Sequence, residues 1–456
     1  MKLKFSWLNS RKSLFLSSLV DFFLLIFLFF EIFKNSISNQ LILFFLTILN
    51  ALLWLISSYI IGRYTNLNIE KYQIFYRPFI KTFLNICFNL FFTQVLFRIF
   101  WNWNYMNFES FSNFLNDFLS FYICVFIFSS LAQLIFSFYL SKKLSNESIW
   151  YFLGDKNKES EFNKMIGSRT KYKVLNFDQS DFNNQIKVKG LIIDDEKLFK
   201  KKNIQFLFEL NNKGMKFMKV SNWCERYLNR YPSELIQVNE IIEGIFTYDE
   251  NSFKARIKRI LESILSLLIL FFTFPLILIA ALFIKIEDGG PILYTQIRNG
   301  FEGKQFKIIK LRTMIINAEK DGIKWADKSD IRITKTGRVL RKLRIDELPQ
   351  LLLVLSGEMS LIGPRPERPK IDNLLKDHIP NYDLRYSIKP GISGWAQVNY
   401  PYGASIEDSK LKLSYDIYYI KNFSIFLDFM IFFKTLRLVL NGKGSIPNNK
   451  ISNGLY

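Results

Sequence analysis

The sequence contains very little of two residue types on which many enzymes rely. Its 456 residues include one histidine, His378, and three cysteines. A single imidazole excludes mechanisms that need two, and it argues against a Ser-His or Cys-His nucleophile pair. Cys87, Cys124 and Cys224 stand singly in the chain, so we expect neither a disulfide framework nor a thiolate metal site. Carboxylates, lysines and arginines must therefore carry most of any chemistry.

Charged residues are also scarce, at 22% of the chain, whereas hydrophobic residues make up 49% and phenylalanine alone occurs 48 times. This composition is too apolar for an ordinary soluble domain, and it excludes intrinsic disorder. The charges that remain are mostly positive, with a formal net charge of +21. An acidic partner, such as a phospholipid surface or a phosphorylated substrate, is therefore expected.

Four long apolar stretches in the first third of the chain predict transmembrane helices. They cover residues 14–33, 41–61, 78–100 and 111–140, and a helix needs about 20 residues to cross a bilayer. The first stretch is too long for a cleavable signal and has no small-residue cleavage site. We therefore expect it to remain as an anchor.

Lysine and arginine are distributed unevenly around these stretches. They cluster before the first stretch, between the second and third, and after the fourth, whereas the other two loops contain only Lys34 between them. By the positive-inside rule, the N-terminus and everything after residue 141 should face the cytoplasm.

Residues 145–246 change to short β-rich runs that alternate with polar stretches. Each of four runs looks like a buried strand bounded by turn or charged residues, which predicts a small α/β, Rossmann-like unit with a parallel sheet. A dinucleotide site needs a glycine-rich turn after the first strand, but Gly154 is followed by Asp155 and Lys156. We therefore expect a structural or regulatory unit that binds no nucleotide. The four runs are residues 150–154, 172–175, 190–194 and 204–208.

A further apolar run, from Ile264 to Ile284, has basic residues on both sides. Pro275 near its centre removes an intrahelical hydrogen bond and forces a kink or break. If the run crossed the membrane, the long polar remainder of the chain would lie on the side away from cytoplasmic substrates. A re-entrant helix over residues 260–285 avoids this, although a plain fifth span with a tolerated proline stays open.

Basic and apolar residues alternate between Phe306 and Arg312. In an extended segment this spacing puts Lys310 and Arg312 on one side. The pair can hold a diphosphate. The alternative is an exposed edge strand in which lysine protects against aggregation.

Asp346 and Glu347 follow a dense basic run that includes Arg341 and Arg344. Pro349 is well placed as the first residue of a helix, and the helix dipole would then favour negative charge just ahead of it. Adjacent carboxylates offer one group to bind Mg²⁺ and another to attack phosphorus. The alternative is a helix-start charge or a salt-bridge partner of Arg344.

Two prolines, Pro364 and Pro366, bracket Arg365. They restrict the backbone, so that the guanidinium can be held as a planar contact for phosphate or uracil. The alternative is a rigid turn without a binding role.

Taken together, these strings resemble the bacterial sugar transferase family, the membrane-bound polyprenyl-phosphate sugar-1-phosphate transferases, also described as monotopic phosphoglycosyl transferases. The resemblance runs from about Lys254 to Ser445, in several consecutive motifs. The N-terminal stretches and the α/β unit also look like the longer family members. The motifs are Lys310-Leu-Arg-Thr-Met314, Ile345-Asp-Glu-Leu-Pro-Gln350, Met359-Ser-Leu-Ile-Gly-Pro-Arg-Pro366, Lys389-Pro-Gly-Ile-Ser-Gly-Trp-Ala-Gln397 and Tyr415-Asp416.

The resemblance implies a chain of three parts. Residues 1–144 would form a membrane α-helical bundle of four spans, and residues 145–250 a small α/β Rossmann-like domain. Residues 251–456 would form a mainly α catalytic domain with a re-entrant membrane helix, broken at Pro275. The protein would be a multi-pass protein of the bacterial inner membrane, with its catalytic domain in the cytoplasm beside the lipid bilayer.

It also implies a two-step transfer of a sugar-1-phosphate, from a UDP-sugar such as UDP-glucose or UDP-galactose to undecaprenyl phosphate. This reaction begins exopolysaccharide, capsule or lipopolysaccharide O-antigen synthesis. Asp346 would attack the phosphorus that bears the sugar and release UMP, and Glu347 would bind Mg²⁺. Asp416 matches a further acidic position of the family, without an assigned role. Lys310, Arg312 and Arg341 would hold phosphates, and Pro364, Arg365 and Pro366 would shape the nucleotide end.

Two positions depart from the family pattern: Phe274 replaces a common Ser before the helix-breaking proline, and Glu262 replaces a usual Asp. Both concern the membrane break rather than the carboxylate pair. The alternative function is a catalytically silent membrane scaffold or sensor whose basic surface binds anionic lipid. No nucleic-acid recognition module is present, so nucleic acid is not an expected partner. The oligomeric state stays open, a homo-oligomer included.

Overall fold

The structure is a computed structural model. It describes residues 12–35, 37, 39–64, 73–101, 108–144, 148–153, 159–160, 162–163, 172–176, 188–194, 212, 215–316, 318, 330–400 and 405–440. The chain divides into two compact units, the first within residues 8–147 and the second within residues 148–456. The predicted division of the second unit at residue 250 stays a prediction.

The N-terminal unit consists of long helices, and all four predicted stretches are helical. Within the described part of the chain, residues 15–33, 40–61 and 116–136 are long and apolar enough to cross a membrane, as is a later helix at 253–288. The third predicted span is helical as well, but the side chains of its second half lie outside the described part of the chain, so its crossing stays a prediction. The helices are α1 (Lys12–Phe33), α2 (Gln40–Ile61), α3 (Gln73–Trp101) and α4 (Phe108–Leu144).

An ionic contact lies inside this helical unit. Arg63, just after α2, donates from Nη1 to Asp21 Oδ2 of α1 at 2.7 Å and from Nη2 to Ser129 Oγ of α4 at 2.5 Å. Both charged side chains are fully enclosed, which is tolerated because each has hydrogen-bonded partners. The surrounding apolar core includes Leu25, Phe29, Phe33, Trp54 and Phe121.

A parallel sheet begins the second unit. Its four strands run in the order β2-β1-β3-β4, which confirms the predicted parallel sheet and three of its strands. The predicted strand at 204–208 lies outside the described residues. The fourth observed strand was not predicted, because it is only four residues long, carries Lys at both ends and contains no apolar run. The strands are β1 (Ser148–Leu153), β2 (Tyr172–Asn176), β3 (Val188–Ile193) and β4 (Lys216–Lys219).

Short helical segments connect the sheet to the rest of the unit. They are α5 (Val220–Trp223), a π-helical turn (Cys224–Leu228), a 3₁₀ turn (Ser233–Leu235) and α6 (Val238–Ile242).

The next helix, α7 (Phe253–Asp288), is 36 residues long and contains Pro275 in its interior. Its first half packs against the main core through Leu265 and Ile269, and its second half packs against a smaller cluster through Ala280 and Ile284. Both halves therefore contact the same unit. Between them the side chains of Phe271 and Phe272 are each 74% exposed.

The remaining elements form a mostly helical body with two small sheets. Strands β5 (Leu293–Asn299) and β6 (Gln305–Leu311) make an antiparallel hairpin, and β7 (Ser360–Ile362) pairs in parallel with β8 (Gly391–Ser393). The helices are α8 (Lys335–Leu343), α9 (Leu351–Ser356), α10 (Pro369–His378), α11 (Trp395–Asn399), α12 (Ile406–Lys421) and α13 (Ile425–Leu440), with 3₁₀ turns at Phe301–Gly303, Ile345–Gln350 and Tyr382–Ser387.

The turn before α9 differs from the prediction. Pro349 does not begin a helix, because a 3₁₀ turn already starts at Ile345 and includes it. The cause lies at Arg344, whose φ of 58° ends α8 and redirects the chain at once. Gly357, with φ of 92°, ends α9.

Candidate active site

The 3₁₀ turn at Ile345–Gln350 carries the two adjacent carboxylates, Asp346 and Glu347. Ile345 anchors this turn in an apolar cluster with Leu311 of β6 and Leu340 of α8. The turn therefore packs against the rest of the unit, and Asp346 and Glu347 are only 8% and 6% exposed. A buried carboxylate requires either hydrogen-bonded or charged partners or a raised pKa. Glu347 has such partners, whereas Asp346 has a raised pKa.

Glu347 is surrounded by cationic side chains. Its Oε1 lies 3.2 Å from Lys310 Nζ and 2.6 Å from Arg365 Nη2, and its Oε2 lies 3.0 Å from Arg344 Nη1. Burial alone would raise the pKa of Glu347, but the charges of Arg365, Arg344 and Lys310 outweigh it and hold the pKa well below its usual range. Glu347 is therefore ionised.

Asp346 has no such partners. Its buried Oδ1 accepts no hydrogen bond from the described residues. Burial raises the pKa of Asp346 to about 6, and the neighbouring charge of Glu347 acts in the same direction, against Lys310. An uncommitted carboxylate oxygen with a raised pKa is a poorly stabilised anion, which makes it a candidate nucleophile.

Lys310 and Arg365 respond differently to the same site. Burial lowers the pKa of Lys310 to about 8, although Glu347 opposes the shift. The charge of Glu347 raises the pKa of Arg365 instead. Arg365, the predicted cationic residue between the two prolines, thus contacts Glu347 directly.

The backbone around Arg365 is fixed by hydrogen bonds. Its carbonyl accepts from Arg385 Nη2 at 2.6 Å, and the carbonyl of Pro366 accepts from Arg298 Nη1 at 3.1 Å. On the other side, the carbonyl of Pro364 accepts the amide hydrogen of Gly391 at 2.9 Å. Pro364 and Pro366 therefore contribute a rigid turn that orients the arginine.

Asp416 lies behind this turn. It pairs with Arg385 at 3.4 Å from Oδ2 to Nη2 and does not contact Asp346 or Glu347. Burial raises the pKa of Asp416 to about 6, partly offset by Arg385 and Lys412. Asp416 thus acts on the site through Arg385 and the carbonyl of Arg365.

Arg312 and Arg341 are near the site but bind other groups. Arg312 is ion-paired with Asp288 at the end of α7, and its buried Nη1 has no hydrogen-bond partner among the described residues. Arg341 donates from Nε to Thr313 Oγ1 at 2.8 Å, and its charge offsets a part of the rise that burial causes in the pKa of Asp346. Lys310 and Arg312 therefore have different partners within the protein, and their joint role in holding a diphosphate stays a prediction.

Two contributing residues were not among the predicted site residues. Arg344 was expected only as an alternative salt-bridge partner, and it does bind Glu347 through a side chain three positions away. Arg385 was missed, because it is 20 residues from Arg365 and no local pattern marks it. Pro275 lies in the exposed middle of α7 and takes no part in the cluster.

The donor set can accept a magnesium ion. Mg²⁺ prefers carboxylate oxygens and commonly binds one or two of them together with substrate phosphates. The unpartnered Oδ1 of Asp346 suits this role. Both oxygens of Glu347 are engaged by cations, so a metal at Glu347 requires an exchange of partners. The described residues contain no group of three or more His, Cys, Asp or Glu side chains that would hold an ion alone.

The chain is similar to known proteins across this region. Residues 253–442 match the family described as bacterial sugar transferase. A UDP-N-acetylgalactosamine-undecaprenyl-phosphate N-acetylgalactosaminephosphotransferase of Aeromonas hydrophila is 48% identical over 171 residues, which are 38% of this chain and 40% of that protein. A UDP-glucose:undecaprenyl-phosphate glucose-1-phosphate transferase of Klebsiella pneumoniae is 38% identical over 211 residues, 46% of this chain and 45% of that protein.

A shorter relative is matched almost completely. The sugar transferase EpsL of Bacillus subtilis, described as uncharacterized, is 38% identical over 200 residues, which are 43% of this chain and 93% of that protein. In contrast, the matched segment spans less than half of the Aeromonas and Klebsiella proteins.

Proposed function

The chain belongs to the bacterial sugar transferase family, and on that basis we propose that it transfers a sugar-1-phosphate from a UDP-sugar to undecaprenyl phosphate and releases UMP. One observation carries the proposal. Asp346 has an unpartnered buried oxygen, and beside it Glu347 draws together Lys310, Arg344 and Arg365. A nucleophile next to a cationic cluster suits phosphoryl transfer, in which anionic repulsion must be overcome.

The proposed reaction has two steps. In the first, a carboxylate oxygen of Asp346 forms a bond to the phosphorus that carries the sugar. The bond from that phosphorus to the bridging oxygen breaks, and UMP leaves with that oxygen. In the second, a phosphate oxygen of undecaprenyl phosphate attacks the same phosphorus and the bond to Asp346 breaks. The product is an undecaprenyl diphosphate sugar, and the carboxylate is restored.

The cationic side chains would hold the diphosphate during both steps. Lys310 and Arg365 already contact Glu347 and can turn to phosphate oxygens, whereas Arg312 keeps an unpartnered Nη1. Arg341 would add positive charge near Asp346. Mg²⁺, held by Glu347 with the carboxylate of Asp346 nearby, would neutralise phosphate charge when bound. Because cations already occupy Glu347, the incoming diphosphate would have to draw at least one of them away.

The sugar and the pathway are parts of the same proposal. Glucose or galactose is expected for the longer family members, and the Aeromonas relative, which is named for N-acetylgalactosamine, adds a third candidate. The product would begin an exopolysaccharide, capsule or O-antigen chain.

The release of UMP tests this function directly. The full-length protein, undecaprenyl phosphate and Mg²⁺ are incubated with UDP-glucose, UDP-galactose and UDP-N-acetylgalactosamine in turn, and UMP is measured. Release from none of them would leave the scaffold alternative in place.

The same proposal includes the location of the site at the cytoplasmic face of the inner membrane. Helix α7 would enter the bilayer and return, with the bend at Pro275. The structure has an uninterrupted α-helix across Pro275, so the bend is part of the proposal, and it is supported by the packing of both halves on one unit. The exposed Phe271 and Phe272 would then lie in lipid.

Cysteine labelling tests this topology. Lys285 and Lys304 are exposed on either side of β5, so cysteines at either position, in a chain whose native cysteines are replaced by serine, should react only with reagents that reach the cytoplasm. Lys34→Cys, in a loop expected on the opposite face, is the matched control and should react from outside. Labelling of Lys285→Cys from the periplasm alone would instead establish a fifth span.

The middle sheet is proposed to be a Rossmann-like unit with a supporting role. Its strand order β2-β1-β3-β4 is all parallel, as in doubly wound folds. Its buried aromatic side chains Trp150, Phe152 and Trp223 form a separate core.

The rate of UMP release should depend on pH as a bell-shaped curve. Asp346 must be ionised to attack and has a pKa raised to about 6. Lys310 must be charged to hold phosphate and has a pKa lowered to about 8. The value of kcat/KM should therefore fall below the first pKa and above the second. Lys310→Arg should keep the acid limb and lose the alkaline one, and an unchanged alkaline limb would assign it to another group.

Asp416 is expected to be a positioning residue. Asp416→Asn weakens the ion pair with Arg385, and Arg385 then fixes the carbonyl of Arg365 less firmly. The value of kcat should therefore fall about 10-fold. A displaced Arg365 also places less positive charge near Asp346, which should move the acid limb of the pH profile upward. Asp372→Asn is the control, because Asp372 is equally buried but binds Asn299. If both variants change only thermal stability, Asp416 is merely structural.

A further inference from the structure

A cavity of about 580 Å³ lies beside the first turns of α7. Its lining combines basic residues of α7 with Lys389 and with the apolar side chains of Tyr248, Met359 and Ile388. None of the residues that line it is one of the carboxylates or cations of the candidate active site. The cavity is therefore a separate feature, at the other end of α9 from Asp346.

Most charges in the cavity wall are already neutralised. Lys258 pairs with Glu262 at 2.9 Å and with Asp428 at 2.9 Å, and Lys389 pairs with Glu250 at 3.1 Å. These groups hold the wall together and leave little charge for a ligand.

Two guanidinium groups remain. Arg256 is exposed, and its side chain makes no hydrogen bond or ion pair with any described residue. Arg259 donates one hydrogen bond, from Nη2 to the carbonyl of Leu355 at 3.2 Å. Gly357 gives it room, because a Cβ there would come within 2.5 Å of Arg259 Nη2. The cavity therefore presents two cations with unused donors, and no unpaired carboxylate balances them.

The cavity also borders the apolar surface of α7. Ile260 lines it and is 59% exposed, and one turn further Ile264 is 53% exposed. In the proposed membrane position of α7, Arg256 and Arg259 lie where lipid headgroups meet water, and the following residues lie among acyl chains. Basic side chains at this level attract anionic lipid.

We propose that this cavity binds an anionic phospholipid, with Arg256 and Arg259 on the headgroup phosphate and the side chains of Ile260 and Ile264 against the acyl chains. Guanidinium groups bind phosphate oxygens through paired hydrogen bonds, and the mixed lining suits a molecule that is charged at one end only. The inference rests on the membrane position of α7 and does not depend on the transferase reaction.

The test is native mass spectrometry of the detergent-solubilised full chain with phosphatidylglycerol. Arg256→Gln with Arg259→Gln should weaken lipid retention about 10-fold, and Arg256→Gln alone, which breaks no contact in the folded protein, should weaken it to a lesser degree. Lys254→Gln with Lys285→Gln removes the same charge from exposed positions of α7 and should leave retention unchanged.

Two competitors separate the sources of the phosphate. Neither sn-glycerol 3-phosphate nor undecaprenyl phosphate should displace phosphatidylglycerol at equal concentration. Displacement by the soluble phosphate would overturn the phospholipid assignment, and displacement by undecaprenyl phosphate would make the cavity an acceptor site instead. Equal retention by wild type and by both cavity variants would also overturn it.

Discussion

Asp346→Asn should abolish phosphosugar transfer, with a loss of about 10,000-fold in kcat, as when a covalent nucleophile is removed. The amide has nearly the same shape as the carboxylate, so the 3₁₀ turn should be preserved. It lacks the electron pair on a charged oxygen that forms the bond to phosphorus. The assay is UMP release from the best UDP-sugar, at the pH of maximum rate.

The same substitution should not harm folding. The pKa of Asp346 is raised in the folded protein, so above the unfolded pKa its ionised form opposes folding. Replacing it with a neutral amide should leave the thermal midpoint unchanged or higher. Asp383→Asn, a change at an exposed carboxylate that pairs with Lys376, is the control and should keep full activity. A variant of Asp346 that retains transfer would remove the covalent step from the mechanism.

Glu347→Gln should lower both activity and stability. The carboxylate is bound by Lys310, Arg344 and Arg365, whose side chains are 18%, 27% and 36% exposed. Loss of its charge leaves three cations facing one another. We expect a cost of about 2 kcal/mol, less than for a fully buried pair because solvent reaches these groups. The rate should fall about 100-fold or more, through misplaced cations and a weakened Mg²⁺ site.

The two neighbouring substitutions should therefore differ in stability, because Glu347→Gln lowers the thermal midpoint whereas Asp346→Asn leaves it unchanged or raises it. The pKa of Glu347 is depressed in the folded protein, so its stabilising effect is present above the unfolded pKa and is lost as the pH falls through the folded value. Thermal denaturation at neutral pH measures the contrast. Glu302→Gln, at an exposed ion pair with Lys304, serves as the control. Equal midpoints for both site variants would mean that the cations are held by something other than Glu347.

The elements that could be predicted from the sequence are those whose signal is local. An apolar run of about 20 residues that crosses a bilayer must satisfy its backbone hydrogen bonds within the segment, as a helix does. This accounts for α1, α2 and α4. Short β-rich runs bounded by turn residues predicted β1, β2 and β3. Gly357 at the end of α9 follows from the left-handed backbone that glycine adopts readily.

The rest depends on distant contacts. The 3₁₀ start of the Ile345–Gln350 turn follows from the left-handed Arg344, which no propensity favours. Arg385 reaches the site only because the 3₁₀ turn at Tyr382–Ser387 folds against the Pro364–Pro366 turn. Asp288 at the end of α7 pairs with Arg312, and the alternation of basic and apolar residues around Arg312 does not indicate that contact. Such pairings are set by tertiary packing and leave no trace in local spacing.

The measurement that tests the central claim most directly is the intact mass of the full-length protein after incubation with UDP-sugar and Mg²⁺ in the absence of undecaprenyl phosphate. We expect a covalent phosphosugar adduct on the peptide that contains Asp346, released by hydroxylamine as an acyl phosphate and discharged when undecaprenyl phosphate is added. An adduct on a different residue, or full transfer activity with no adduct under these conditions, would contradict the account.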